Sequence, residues 1–173
     1  MTRPDAGRRP PASLAAELLR RAEEDRVLTL GAHQPGPVPA GVRRMIERCR
    51  GDNGTALKAA VAEYGWPTAA LVGEPASTAA LMILLHAGDL GFQVRCRDLV
   101  ADAAADGLCP AVHHAFIADH CAVELGQPQF YGTRINPGTM RPYEIRSPET
   151  VDERRADVGL GPLAEQLRSL PRR

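Results

Sequence analysis

The sequence predicts a mainly α fold, a compact bundle of five or more helices with a small β-hairpin near residues 129–146. Three observations lead there. Apolar residues recur at helical spacing through most of the chain between Ser13 and Gly126. Glycine and proline interrupt that pattern where helices must stop and start. Only after Gly126 does the period fall to two, in "QPQFYGTRI" and "RPYEIR" on either side of "NPGTM". A length of 173 residues suits one domain, expected over 12–173 behind a disordered tail, 1–11, rich in Arg, Pro and Gly.

The first helix is expected from the N-cap candidate Ser13, with Leu14, Leu18 and Ala22 as its apolar stripe, fading near Val27. "GAHQPGPVPAG" holds three prolines and three glycines and reads as loop, with His33 incidental in it. "VRRMIERCR" allows a short helix. "DNGTALKAAVAEYGWPT" is a separate unit, with Leu57, Ala60, Val61 and Tyr64 at helical spacing. Gly65 is its stop signal, Pro67 bars continuation, and Trp66 folds back on the last turn. "VGEPASTAALMILLHAGD" opens with Pro75 in a first turn and runs to His86 or Ala87, apolar nearly all round and so central. A long helix follows over about Leu90 to Ala105, and another lies between Pro110 and Gly126. Ser147, Pro148 and early acidic residues begin a helix that Gly159 ends, with a last turn or two after Leu163. A lone hairpin is marginal in water, so the hairpin must pack on helices.

Bulk properties narrow the function classes. Twenty-one basic and 21 acidic residues cancel, which disfavours nucleic acid, whose binders cluster positive charge. Lys58 is the sole lysine and the only place for Schiff-base chemistry. The longest wholly apolar run, Ala79 to Leu85, is far too short to span a bilayer. No apolar segment follows the charged N-terminus, so the expectation is a cytoplasmic protein with no membrane partner. Cys49, Cys96, Cys109 and Cys121 form no CxxC pair and read as small apolar residues. GxGxxG after a strand, GxxxxGK[ST], GxSxG and HExxH are all missing, so neither nucleotide cofactor nor metal is expected.

The stretch "AVHHAFIADHCAVELG" carries the most telling oddity. Val112, Phe116 and Val123 fall on one helix face, and Asp119 shares it. A carboxylate in an apolar environment needs a cation or several donors to meet it. His86, at the end of the most apolar helix, is the expected partner. Tyr131 and Arg134 follow the helix closely enough to fold back over its end. His120 points about a third of a turn away. A His–Asp pair is the usual apparatus of general acid–base catalysis, and a nearby tyrosine can donate to a developing oxyanion. For a metal the spacing is poor. His113 with His120, and His114 with Cys121, are seven residues apart, about 10 Å along a helix.

The residues "DNGTALKAAVAEYGWPTAALVG", "LLHAGD…FQVRC", "QFYGTR" and "VDERRADVGLGPL" together resemble DUF6624, a bacterial domain family of unknown function. The resemblance spans about Gly51 to Leu163 and singles out Asp52, Asn53, Trp66, His86, Asp119, Tyr131 and Thr133. Asp152 and Arg155 belong to the closing motif. Leu85 stands where the family pattern has Gln, His120 where it has Arg, and Arg134 where it has Gln. The family brings positions and no reaction.

The leading expectation is therefore a cofactor-independent enzyme using acid–base chemistry on a small polar metabolite, by hydrolysis, elimination or cyclisation. His86, Asp119 and Tyr131 would be catalytic. His120, Arg134, Trp66, Thr133 and Asn53 would bind substrate. Two alternatives stay open. One is a non-catalytic module that binds a small molecule or a protein, in which the same residues form a polar lock. The other is a metal-dependent enzyme using histidines. A small-molecule ligand is the expected partner, and self-association is compatible with the sequence.

Overall fold

A computed structural model describes residues 12–32 and 36–170. The tail 1–11 and His33 lie outside the described residues. Among those described there are eight α-helices: α1 (Ala12–Gly31), α2 (Ala40–Tyr64), α3 (Ala69–Val72), α4 (Glu74–His86), α5 (Leu90–Ala105), α6 (Ala111–Glu124), α7 (Val151–Asp157) and α8 (Leu163–Arg168). Two short strands, β1 (Ile135–Asn136) and β2 (Arg141–Pro142), pair antiparallel, Ile135 opposite Pro142 and Asn136 opposite Arg141. The chain separates into two compact units, Met1–Leu99 and Val100–Arg173, and the division falls within α5.

In the first unit α1, α2 and α4 pack on one another. Their core holds Leu14, Leu18, Leu57, Ala60, Leu81, Ile83 and Leu84, all buried. The sequence suggested two short helices where α2 is a single one of 25 residues. Gly51 and Gly54 do not break it, because Asn53 between them is anchored outside the helix. Arg21 Nη1 donates to Asn53 Oδ1 at 3.2 Å, and Asn53 Nδ2 donates to the Arg21 carbonyl at 3.2 Å. Tertiary bonding thus offsets the roughly 1 kcal/mol that each helical glycine costs. Four residues on, Arg50 reaches Asp25. The pairs climb α1 as they descend α2, so the two helices run antiparallel. The helix stop is as expected: Gly65, at φ 77°, donates its N–H to the Val61 carbonyl at 3.0 Å, and Trp66 is buried.

In the second unit the hairpin region has little ladder. Two residues pair on each strand, and a parallel bridge joins Gln129 to Ile145. Side chains supply the missing bonds. Buried Gln129 donates from Nε2 to the Arg134 and Tyr143 carbonyls, both at 3.0 Å, and accepts the Arg134 N–H at 2.9 Å. Ser147 is not the side-chain cap expected of it. It sits in the left-handed region at φ 46°, leading into a 3₁₀ turn over Pro148–Thr150 ahead of α7. No helix among the described residues is long and apolar enough to cross a membrane.

Candidate functional site

Asp25 lies on α1 one step beyond Leu14, Leu18 and Ala22, on the stripe that faces the other helices. It is only 5% exposed. Three groups meet its carboxylate. Arg50 Nε, from α2, donates to Oδ1 at 2.9 Å. Thr29 Oγ1, one turn along α1, donates to the same oxygen at 3.4 Å and accepts from Arg50 Nη2 at 3.1 Å. His86 Nδ1, from the last turn of α4, makes a short hydrogen bond to Oδ2. Burial alone would raise the carboxyl pKa, but the hydrogen bonds and charges of Arg50 and His86 outweigh it and leave the pKa below the ordinary value.

This cluster opens onto a groove between α1 and α4 with a volume of about 350 Å³. Leu19, Ala22, Leu30, Pro75, Ala79 and Met82 give it apolar walls, and Asp25 and His86 line it together with Glu23, Arg26, Thr29 and Thr78. The size falls at the lower end of the range for small-molecule pockets, roughly 300–1,000 Å³. With Nδ1 bonded to Asp25, Nε2 is the remaining nitrogen of the His86 ring. That is the arrangement in which a carboxylate fixes the tautomer of a proton-transferring imidazole.

Asp119 is fully buried, as the helical phase of α6 suggested, but its cover differs from the expectation. Phe116, on the same face, is 37% exposed, and the residues buried around α6 include Ala115, Ile117, Ala118 and Cys121. What covers Asp119 is the "QFYGTR" loop. Its Oδ1 accepts the N–H of Phe130 at 2.7 Å and of Tyr131 at 3.0 Å. Its Oδ2 accepts the N–H of Tyr131 at 3.2 Å and of Thr133 at 2.9 Å, and the Thr133 hydroxyl at 2.9 Å. Backbone donors therefore meet this acid, where an imidazole was expected.

The carbonyls of the same loop are taken from the other side by α7. Buried Arg155 donates from Nη1 to Tyr131 O at 2.7 Å, from Nε to Gly161 O at 2.6 Å, and from Nη2 to Gln166 Oε1 at 2.9 Å. Arg154 Nε donates to Phe130 O at 2.9 Å. Gly132, at φ 70°, is tightly surrounded: a Cβ there would lie 3.0 Å from both Ile145 Cδ1 and Leu163 Cδ1. The loop is held at every turn.

The expected site residues thus divide. His86 stands at the groove with Asp25. Asn53 lies near by in the first unit and ties α2 to α1 through Arg21. Trp66 is buried at the end of α2. Asp119, Tyr131 and Thr133 belong to the loop lock of the second unit. There the backbone N–H of Tyr131 serves Asp119, and burial, helped by the Asp119 charge, pushes its phenol pKa up. His120 and Arg134 do meet: Arg134 Nη1 lies 2.9 Å from His120 Nδ1. A guanidinium only donates, so Nδ1 accepts and the ring proton sits on Nε2. Arg134 Nη2 also reaches Glu124 Oε1 at 3.5 Å.

Asp25 and Arg50 were missed by sequence reasoning. The signal for Asp25 was present: it interrupts an apolar stripe just as Asp119 does. Arg50 carried no such mark. None of the four cysteines is in a disulfide. Burial pushes the pKa of Cys49 and Cys109 up, which lowers their reactivity. Among the described residues no group of three or more His, Cys, Asp or Glu side chains is placed to hold a metal ion.

Neither the curated proteins nor the solved structures contain a significant match to this chain. A family's sequence profile does match, over residues 12–172, and so takes in both the groove and the locked loop. The chain belongs to the family of unknown function DUF6624.

Proposed function

We propose that this protein is a cofactor-independent enzyme that moves a proton on a small molecule seated between α1 and α4. His86 carries the proton at Nε2. Asp25 orients the ring through Nδ1, and Arg50 holds Asp25 in place. The observation that supports this reading is the pairing of His86 Nδ1 with a buried carboxylate where both residues line a largely apolar groove. Hydrolysis, elimination and cyclisation all use such a base.

Asp119, Tyr131, Thr133, His120 and Arg134 take a structural part in this reading. The satisfied loop bonds favour it, since an acid that accepts five hydrogen bonds from four donors has little capacity left for substrate. A non-catalytic binding module remains the second reading, because Asp25 also forms an ion pair with Arg50 of a kind that often serves only packing.

The test is a panel of short esters, amides, lactones and β-hydroxy carbonyl compounds, with products followed by mass spectrometry. Wild-type turnover should fall about 10²–10⁴-fold in His86→Gln. The melting temperature should stay within a few degrees, because glutamine can still donate to Asp25. Equal turnover in both proteins, or none in the wild type, would leave the binding-module reading in its place.

A further inference from the structure

The charges around the groove say what kind of molecule it would admit. Glu23 and Arg26, both lining it, are joined by two hydrogen bonds of 2.7 Å. Asp25 is answered by Arg50 and His86. Every formal charge at the wall therefore has its countercharge within the protein. A charged headgroup entering here would shed hydration and find no unmatched opposite charge in return. A neutral hydroxyl or amide group costs far less to desolvate and needs one hydrogen bond, which it can donate to the lone pair of His86 Nε2.

The rest of the lining asks for an apolar body. Leu19, Leu30 and Met82 are 43%, 55% and 43% exposed, an unusual share of water contact for such side chains along one groove. A ligand lying there would cover them. Met82 adds an adaptable wall, since an unbranched thioether side chain adjusts to ligands of different shape.

We infer that the groove binds an uncharged amphipathic molecule, an apolar chain or ring with a single hydroxyl or amide group that donates to His86 Nε2. This rests on the proposed function for the position of the polar group. It departs from the polar metabolite that the sequence suggested.

The experiment uses the full chain labelled with ¹³C at the methionine methyl groups, Met82 being assigned through Met82→Leu. Four six-carbon probes are titrated: hexanamide, 1-hexanol, hexanoate and hexylammonium. Hexanamide and 1-hexanol should shift the Met82 methyl signal saturably, and the two ions should bind at least about tenfold more weakly. Met82→Gln, at an exposed position, should weaken hexanamide by about tenfold at an unchanged melting temperature. A charged probe binding as tightly as the neutral pair, or no probe moving Met82, would overturn the inference. So would a Met82 signal that shifts with protein concentration alone, which would point to a second copy of the chain as occupant. His86→Gln separates the two proposals. If it spares hexanamide binding while wild type turns nothing over, the ligand class stands and the catalytic reading fails. If turnover is found only on charged compounds, the reverse holds.

Discussion

Among the described residues two aspartates are buried, one in each compact unit, and they are neutralised by different means. Asp25 meets side chains: an arginine, a threonine and a histidine, at the edge of a groove. Asp119 meets the chain itself, three backbone N–H groups and one hydroxyl, with no exposure at all. Backbone donors cannot titrate and can hardly move, so an acid held by them fixes a loop. An imidazole can exchange a proton, so an acid held by one can serve chemistry. Burial alone does not separate the two uses; the nature of the partner does.

The largest effect should come from breaking the loop lock. Asp119→Asn keeps one acceptor oxygen and turns an amide N–H₂ toward groups that are themselves donors. Buried donors lose their partner, at a cost of about 3 kcal/mol. For a chain of this size that lowers the melting temperature by roughly 6–12 °C. Calorimetry on the two proteins reads it directly. A change below about 2 °C would mean that the loop does not depend on the acid. Gly132→Ala attacks the same loop from its backbone. A left-handed φ costs alanine about 1–2 kcal/mol, and its Cβ would press on Ile145 and Leu163. A loss of about 2 kcal/mol in urea unfolding is expected, and stability equal to wild type would mean that the loop relaxes around the methyl group.

Much of this arrangement was legible in the sequence, and the parts that were not share a cause. Helix ends announced themselves through Gly65, Pro75 and Pro110, because those residues act through their own backbone. Phase singled out Asp119, although the face it was given, with Val112, Phe116 and Val123, is only partly buried and the loop is what covers the acid. What phase could not give was its partner, since three N–H groups from Phe130, Tyr131 and Thr133 leave no mark in residue type. The same blindness hid the continuity of α2. Asn53-Gly54 reads locally as a break, and only Arg21, 32 residues away, makes it helix. Asp25 is the instructive miss. It interrupts the stripe of Leu14, Leu18 and Ala22, but a run of charges, "EEDR", disguises it as solvent face. His86 was found because an apolar helix makes a polar residue at its end conspicuous; a highly charged helix hides one.

The smallest effect, and the one that sharpens the contrast most, concerns pH. The pKa of Asp25 is held below its ordinary value in the folded protein, against burial, by Arg50 and His86. In the unfolded chain it returns to the usual carboxylate range. The ionised form is therefore the one that folding prefers. Its contribution is complete above the unfolded pKa, near 4, and drains away as pH falls through the lower folded value. Asp25→Asn removes that contribution at every pH. Arg50 and His86 are each about a third exposed, so solvent screens the loss to about 1 kcal/mol, well below that of a sealed pair. The melting temperature of Asp25→Asn should thus sit a few degrees below wild type at pH 7. The gap should close as pH drops below about 4, where the wild-type acid takes up its proton and begins to resemble the amide. A gap that stays constant down to pH 3 would show that the asparagine disturbs packing and that the charge of Asp25 contributes nothing. In that case the cluster at the groove would be a lock of the same kind as the one around Asp119, and the difference between the two acids would disappear.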